Sequence, residues 1–362
     1  MGMKRHHESF DYLERVYHET PVWPLDPERK YLIFSDLHMG NGKRNDDFAP
    51  NSRMFLKVLR SYLEKNYTLI LNGDIEELLR FPLQEIFENW DEFFQLLDAF
   101  RDGPGLYKII GNHDLELVDA KNYPYRLYEA LRFEYKGNEL FIFHGHQTMR
   151  RYREYNPLIH YALKYLANPL NIKNYAVSHS SRKRFTTEKR VYQFSSEMKL
   201  LSIIGHTHRP LFESMSKSDS IRFEIERLCR KYPKTSDEKR IKVEQKISDL
   251  RIQLKAVLEQ DDGFEERNSL YNANLVVPCM FNSGTVVGKR GMTCLEIKGG
   301  KILLRHWFDA GRTKRYLESQ TRKPKELDDT GIYKVKMKED SLDYIFTRIS
   351  LLGGPDLSGQ AE

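Results

Sequence analysis

Five short apolar runs, each followed within a few residues by Asp, Asn or His, constrain the fold of this sequence most strongly. The runs are YLIF (31–34), TLIL (68–71), LYKII (106–110), LFIF (140–143) and LLSII (200–204). Their length and nearly continuous apolar character are typical of strands buried on both faces of a sheet. In α/β proteins, ligands bind beyond the carboxyl ends of such strands. We therefore expect the polar residues that follow the five runs to converge on one place.

Segments with helical spacing separate these runs. Apolar residues recur every three or four positions at 54–63, 93–100 and 125–133, which predicts amphipathic helices there. Strands and helices thus alternate along the chain, and this alternation predicts a layered α/β fold. Apolar runs on either side of a Gly-Gly turn within 271–310 predict further strands that complete the sheets.

The chain is expected to form one main domain with a segment attached at each end. Residues 1–28 are a polar lead-in that contains one helix, and residues 29–312 form the main domain. Residues 313–362 are a polar C-terminal extension, and we expect its Gly-, Pro- and Ser-containing end to be disordered.

Two insertions interrupt the main domain. Residues 147–195 are rich in Arg, Lys and Tyr and predict a small helical cap. Residues 213–270 are highly charged and predict a helical hairpin with a helix cap at Thr235 or Ser236. A 4-3-4-3 spacing gives this hairpin an apolar stripe of Val243, Ile247, Leu250, Leu254 and Val257. The stripe fits either an interaction arm of coiled-coil type or a solvated helical insertion.

Composition limits the class of protein. With 362 residues, 40% of them hydrophobic, the chain has enough apolar side chains for a large globular core. Its net charge of +6 favours anionic partners such as phosphates, nucleic acid or a membrane surface. The three cysteines lack CxxC spacing, which argues against a disulfide framework or thiolate metal site and indicates a reducing compartment. We see no secretory signal and no apolar run near ~18 residues, so we expect a cytoplasmic protein, with peripheral membrane contact left open.

The residues after the five runs form a set of metal-ligand types. Carboxylates, imidazoles and one amide, without a thiolate, suit divalent Mn, Fe, Zn, Co or Ni. The set is too large for one ion and fits two. The expected ligands are Asp36, His38 and His208 on the first ion and Asn112, His144 and His206 on the second, with Asp74 bridging. His206 and His208 can address different ions because alternate side chains diverge in extended backbone.

The charge of this set favours phosphate chemistry. Two divalent ions bring more positive charge than Asp36 and Asp74 neutralise, and the surplus favours hydroxide and an anionic substrate oxygen. The ligand partition does not need His113, which we assign as a proton donor to the leaving group or a hydrogen-bond donor to the phosphoryl group. Asp114, the next residue, is expected to orient the His113 imidazole.

The order of the motifs DLH, GD, GNHD, HGH and GHTH resembles that of the calcineurin-like metallophosphoesterase superfamily. The resemblance covers about residues 30–212 and the strands expected at 271–310. It implies a two-sheet α/β sandwich with helices outside and a dinuclear centre, with manganese as the foremost metal. Members of the superfamily cleave phosphomonoesters, phosphodiesters or pyrophosphates.

Within the superfamily, FSDLHMGN, GDIEELL, GHTHRP, FNSGTVV and a basic helical cap resemble the UDP-2,3-diacylglucosamine pyrophosphatase branch. Those enzymes cleave a nucleotide–lipid sugar pyrophosphate at the inner membrane surface. The resemblance implies a small-molecule or nucleotide–lipid substrate and a peripheral position at the inner membrane face. It also implies substrate-binding roles for Asn41, Arg150, Arg151, Arg153 and Arg182, and we add His146 to these candidates.

Two other functions remain open from the sequence. The first is a nuclease or a phosphodiesterase acting on cyclic or linear nucleotides, since nuclease members of the superfamily keep a histidine where His113 stands. Basic residues interleaved with tyrosines in the cap suit a phosphate backbone and stacked bases. The second is a non-catalytic scaffold with the same fold, which the filled metal-ligand positions disfavour.

Overall fold

A computed structural model describes most of the main domain and its flanking segments. The described residues are 2–149, 181–214, 221, 225, 228–229, 232–234, 237–260, 277–314, 317 and 323–354. Several positions singled out in the sequence lie outside them, namely Arg150, Arg151, Arg153, Thr235, Ser236 and the C-terminal residues 355–362.

Helices and strands alternate as the sequence predicts. The helices are α1 Gly2–Glu19, α2 Ala49–Glu64, α3 Leu83–Asn89, α4 Asp91–Asp102, α5 Ser181–Glu197, α6 Asp237–Gln260 and α7 Leu342–Leu352. The strands are β1 Val22–Pro24, β2 Lys30–Phe34, β3 Tyr67–Asn72, β4 Leu106–Ile109, β5 Leu127–Tyr128, β6 Ala130–Tyr135, β7 Asn138–Phe143, β8 Leu201–Ile204, β9 Met280–Asn282, β10 Met292–Lys298, β11 Lys301–Asp309, β12 Lys325–Glu326 and β13 Ile332–Ser341. No described helix has the length and apolar character that a membrane crossing requires.

The strands form two sheets. The larger has the order β12-β13-β11-β10-β2-β3-β4-β5, and the smaller has the order β1-β6-β7-β8-β9. Strands β2, β3 and β4 pair in parallel in the larger sheet, as do β7 and β8 in the smaller one. The carboxyl ends of all five predicted runs therefore lie at shared edges of the sheets.

Alternating side chains of the strands build three apolar layers. In β2, Leu32 and Phe34 pack under α2, α3 and α4, whereas Tyr31 and Ile33 pack between the two sheets. The outer face of the smaller sheet, including Phe141, packs against α1 and α5. The two sheets are thus enclosed by helices on both sides, and the predicted two-sheet α/β sandwich is confirmed.

The prediction of a helix at 125–133 is wrong, because this segment forms β5 and β6. Leu131, Phe133 and Tyr135 alternate into the layer between the sheets. Lys136 and Gly137 have positive φ values of 51° and 79°, which suits a two-residue hairpin turn into β7. The apolar residues of β6 fit the two-residue period of a strand as well as the helical spacing that the sequence suggests.

Residues 323–354, within the region 313–362 that the sequence sets apart, contribute to the larger sheet and to the core. Strand β13 pairs along the length of β11, and α7 buries Leu342, Ile345, Phe346 and Ile349. Strand β13 is mostly polar because it lies near the edge of the larger sheet, where only part of its surface is covered. Because β13 is mostly polar, the sequence alone gives no sign that this segment belongs to the main sheet.

Most of the described residues in the two insertions are helical. Helix α5 covers the end of the 147–195 insertion, and α6 covers Asp237–Gln260 of the 213–270 insertion. The predicted stripe on α6 is half-buried at Val243, Ile247, Leu250 and Leu254.

A buried ion pair joins β10 and β11 beneath α2. The Glu296 carboxylate accepts hydrogen bonds from Arg305 Nε at 2.6 Å and from Tyr62 Oη at 2.6 Å. Burial alone would raise the pKa of Glu296, but the hydrogen bonds and charge of Arg305 outweigh it and lower the pKa to about 2. This pair therefore stabilises the larger sheet when Glu296 is ionised.

Replacing Arg305 by Met should lower the free energy of unfolding by roughly 3 kcal/mol near neutral pH, because the buried Glu296 carboxylate loses the cation that donates hydrogen bonds to it. In the wild type, the stability from the lowered pKa is present above the ordinary value of 4.5 and is lost as the pH falls toward 2. The difference between the proteins should shrink over that range. Urea unfolding at several pH values tests this, with exposed Lys336→Met as the control. A pH-independent difference would contradict it.

Candidate metal centre

Left-handed backbone marks the turns that carry the predicted ligands. Asp36, His38, Asp74, His206 and His208 have φ values of 55°, 46°, 55°, 65° and 56°. Residues other than glycine adopt this conformation at a cost, and such residues cluster at functional sites. The sharp turns after β2, β3 and β8 point these side chains into the space between the strand ends.

The first predicted group comes together as a compact cluster. Asp36, His38 and His208 present ligand atoms within 4.8 Å of one another. His208 Nε2 lies 3.1 Å from Asp36 Oδ1 and 2.9 Å from His38 Nε2. The backbone N–H of His206 donates to both Asp36 oxygens, at 3.1 and 3.0 Å. These contacts fix the Asp36 carboxylate against the turn that carries His208.

The second predicted group lies beside the first. Asp74, His144 and His206 also present ligand atoms within 4.8 Å of one another. His144 Nδ1 donates to the carbonyl oxygen of Asn72 at 2.8 Å, which turns its Nε2 toward Asp74 Oδ2 at 3.1 Å. Among the residues that the structure describes, none donates a hydrogen bond to the buried Asn112 Oδ1. A buried acceptor without a donor fits an atom that holds a cation.

Asp74 lies at the centre of the whole constellation. Its Oδ2 is 3.1 Å from His144 Nε2, 3.9 Å from His38 Nε2 and 4.0 Å from His113 Nε2. Its Oδ1 accepts a hydrogen bond from the His113 backbone N–H at 2.8 Å. The position of Asp74 between the two groups matches a carboxylate shared by two ions.

The electrostatics of the site also fit cations. Burial would raise the pKa of Asp74, but the imidazoles of His144, His113 and His38 hold it well below its usual range. Burial would lower the pKa of His144, but the carboxylates of Asp74 and Asp36 raise it to about 9. Protonated imidazole thus supplies the positive charge that the carboxylates require. Divalent ions would replace those protons, since a ligating histidine must be neutral.

Glu77 is a site residue that the sequence analysis missed. It is 2% exposed, and its oxygens lie 2.8 Å from both His38 Nδ1 and His113 Nδ1. Burial would lower the pKa of His113, but Glu77 and Asp74 raise it to about 9. One carboxylate therefore fixes the orientation of a predicted metal ligand and of the predicted proton donor.

The sequence assigned the orienting role to Asp114, and the structure gives Asp114 different partners. Its Oδ2 accepts from the Ile75 N–H at 2.9 Å, and its Oδ1 accepts from the Gly111 N–H at 2.5 Å. Burial raises the pKa of Asp114 to about 6. Asp114 thus joins the two turns that carry Asp74 and Asn112. The sequence offered one sign of Glu77, its position three residues after Asp74. That sign does not distinguish Glu77 from its neighbour Glu76, which pairs with buried Lys108 instead.

A segment near the end of the main domain supports the ligand turns. Asn282 Nδ2 donates to the carbonyl oxygen of Gly205 at 2.9 Å, and Thr285 Oγ1 donates to that of Asp36 at 2.9 Å. Ser283 Oγ lies 2.7 Å from Ser35 Oγ, whose hydroxyl in turn donates to Asp36 at 2.5 Å. The FNSGTVV motif, which entered the sequence analysis only through resemblance, thus holds Asp36 and the turn of His206.

The structure describes the side chains of only two of the predicted substrate-binding residues, His146 and Asn41. His146 is buried with its ring centroid 5.5 Å from that of His144, and burial followed by the His144 charge lowers its pKa to about 3. Asn41 donates from Nδ2 to Glu85 at 2.9 Å. Arg182 lies in α5, and the other three cap arginines lie outside the described residues.

Close backbone approach at Gly111 makes this position intolerant of a side chain. A Cβ there would lie 2.9 Å from Asp74 Cγ and still closer to Asp74 Oδ1 and the Asp74 backbone nitrogen. These atoms belong to the central carboxylate and to backbone, so they cannot move away without distorting the site.

The Gly111→Ala variant should therefore lose at least one bound ion per chain when its metal content is measured after reconstitution. A useful control is Gly137→Ala, whose Cβ would meet nothing within 4 Å although its φ is +79°. The control should lose about 1 kcal/mol of stability and keep its metal. Equal metal content in both variants would contradict the expected crowding of Asp74.

The chain was compared with family models, curated proteins and solved structures. The family model of calcineurin-like phosphoesterases matches residues 29–222, more than half of the chain. A search of curated proteins gave no match. The fold is similar to that of YfcE, a phosphoesterase from E. coli, at 13% identity over 76% of this chain and 91% of that chain, with a TM-score of 0.32.

Two further solved structures are similar. A single mutant of Vps29 from Entamoeba histolytica matches at 10% identity over 85% of this chain and 99% of its own, with a TM-score of 0.31. Vacuolar protein sorting 29 of Cryptosporidium parvum matches at 12% identity over 87% of this chain and 100% of its own, with a TM-score of 0.35.

Proposed function

The chain belongs to the calcineurin-like phosphoesterase family, and we propose that it hydrolyses a phosphodiester or pyrophosphate bond with two divalent ions. One observation carries this proposal: two ligand groups meet at Asp74, with the His113 imidazole 4.0 Å from the same carboxylate. The donors suit manganese, and Fe, Zn, Co and Ni are further candidates. Bound ions would lower the pKa of a water molecule and provide charge for the phosphoryl oxygens.

The chain's own residues would manage the proton of the leaving group. Glu77 accepts from His113 Nδ1–H, so the Nε2–H of protonated His113 faces the centre. Donation of the Nε2 proton to the leaving oxygen would leave a neutral imidazole that keeps its bond to Glu77. A pKa raised to about 9 keeps this proton in place at neutral pH in the metal-free protein.

The substrate we propose first is a nucleotide–lipid sugar pyrophosphate of the UDP type. Its support is the set of extended motifs and the basic composition of the cap, and such a substrate would place the protein in the cytoplasm at the inner membrane face. His113 favours a second candidate, a nuclease or nucleotide phosphodiesterase, because the pyrophosphatase branch often has arginine there. A scaffold without catalysis is disfavoured, since all seven ligand positions hold a metal-binding residue type.

A substrate panel separates these candidates. Metal-loaded protein would be offered a UDP-linked lipid sugar, single-stranded oligonucleotides and cyclic nucleotides. Selective release of UMP would support the pyrophosphatase, whereas internal cutting of the oligonucleotides would support the nuclease and overturn the first choice.

Hydrolysis of bis(p-nitrophenyl) phosphate tests the reaction class. Protein treated with chelator should be inactive, and Mn²⁺ should restore activity in the wild type. Asn112→Ala should stay nearly inactive, because it removes the buried amide oxygen that fits the second ion. Exposed Asn122→Ala is the matched control and should behave as the wild type. Activity that survives chelation, or that Asn112→Ala leaves unchanged, would refute the proposed chemistry.

A further inference from the structure

Helix α5 contacts two of the turns that carry predicted metal ligands. Arg190 donates to the carbonyl oxygen of Thr148 at 2.6 Å, in the turn that follows His144. Glu188, two residues earlier, is fully buried and reaches the turn of His206 and His208. Neither residue belongs to the predicted ligand set, so metal ligation does not account for the buried Glu188 carboxylate.

Glu188 holds the residues on either side of His208. Thr207 Oγ1 donates to Glu188 Oε1 at 2.8 Å, and Arg209 Nε donates to the same oxygen at 3.3 Å. Arg209 also binds the second oxygen of Glu188 through its terminal nitrogen. Asn282 Nδ2 donates to Thr207 Oγ1 at 2.9 Å, so the hydroxyl is fixed from two sides.

His206 has a separate anchor. Its backbone N–H donates to the Asp36 carboxylate at 3.0 and 3.1 Å, and this contact does not involve Glu188. His208 is bracketed by the two residues that Glu188 binds, and its side chain is 18% exposed, which leaves it less confined by packing. Loss of Glu188 should therefore affect the two histidines unequally.

We propose that Glu188 is a positioning residue for His208 and thereby for the first ion. This inference rests on the two-ion function proposed above. The carboxylate locks Thr207 and Arg209, and the backbone between them keeps the His208 imidazole within reach of Asp36 and His38. Residues that orient metal ligands in this way typically change metal affinity about 10–100-fold when replaced.

The Glu188→Gln variant keeps the size of the side chain but changes its charge and its hydrogen-bonding pattern. The remaining amide oxygen can still accept from Thr207, but the amide nitrogen faces an Arg209 donor and the negative charge is gone. Thr207→Val removes the hydroxyl that donates to Glu188 and changes the side-chain volume little. Glu197→Gln, at the exposed end of the same helix, is the matched control.

Mn²⁺ binding and electron paramagnetic resonance test the proposal without measuring activity. Wild type and Glu197→Gln should bind two ions per chain and show a spectrum of coupled Mn²⁺. Glu188→Gln and Thr207→Val should bind one ion with unchanged affinity and the other about 10–100-fold more weakly, so that uncoupled Mn²⁺ appears at limiting metal.

Combined variants identify the weakened ion. Glu188→Gln added to His208→Ala should cause little further loss, because both affect the first ion. Added to Asn112→Ala, it should weaken the one remaining ion. Equal weakening of both ions, or lower thermal stability with unchanged Mn²⁺ affinity, would overturn the positioning role. If the wild type itself bound no Mn²⁺, the proposed function would fail rather than the role of Glu188 alone.

Discussion

Replacing Asp74 by Asn should lower the rate of phosphodiester hydrolysis on the order of a thousandfold or more. Asp74 is the carboxylate nearest to both ligand groups, and Asn offers neither its charge nor a second equivalent oxygen. Loss of the charge should weaken both ions, and each ~1.4 kcal/mol of lost transition-state stabilisation costs tenfold in rate. Rates for bis(p-nitrophenyl) phosphate at saturating Mn²⁺ provide the measurement.

The effect of Asp74→Asn should appear in metal content as well as in rate. Elemental analysis after gel filtration should give fewer than two ions per chain. Asp102→Asn, an exposed change of the same type, should retain full metal content and rate. An Asp74→Asn variant that keeps two ions and near wild-type activity would remove Asp74 from the centre of the mechanism.

Replacing His113 by Gln should lower kcat about 10²–10⁴-fold for substrates with a poor leaving group, with metal content unchanged. His113 lies near Asp74 but outside both predicted ligand groups, and Glu77 holds its Nδ1 at 2.8 Å. A proton donor matters most when the leaving alkoxide is strongly basic. The loss should therefore be much smaller for p-nitrophenyl esters than for alkyl esters of the same phosphate.

The leaving-group comparison distinguishes proton donation from other roles of His113. A hydrogen bond to the phosphoryl group would give a similar loss for both leaving groups. His18→Gln, an exposed change on α1, is the matched control. A uniform loss across leaving groups would contradict proton donation, and loss of bound metal would make His113 part of the ligand set.

The strand ends of the sheets could be predicted because their chemistry is local. Each apolar run is followed by its own polar turn, so the ligand residue types at 36–38, 74, 112, 144 and 206–208 can be identified without knowing their neighbours. The structure brings these side chains together beyond the ends of β2, β3 and β4 in the larger sheet and of β7 and β8 in the smaller one.

Features that depend on contacts between distant segments could not be predicted in this way. Glu77 and Glu76 are adjacent acids, and only the positions of His113 and Lys108 give them different partners. In the sequence, Glu188 is one acidic residue in a basic helix, and only the structure shows that Thr207 and Arg209 bind it. Residues 125–133, which form β5 and most of β6, suggest a helix in the sequence because their apolar spacing over nine residues fits both the helical and the strand period.

Crystals grown with Mn²⁺ and measured near the manganese absorption edge provide the most direct test of the two-ion centre. The predicted anomalous map has one peak among Asp36, His38, His208 and Asp74, and a second among Asp74, Asn112, His144 and His206. A map with no peak at these residues, or with one peak that contacts neither Asn112 nor His144, would contradict the two-ion centre.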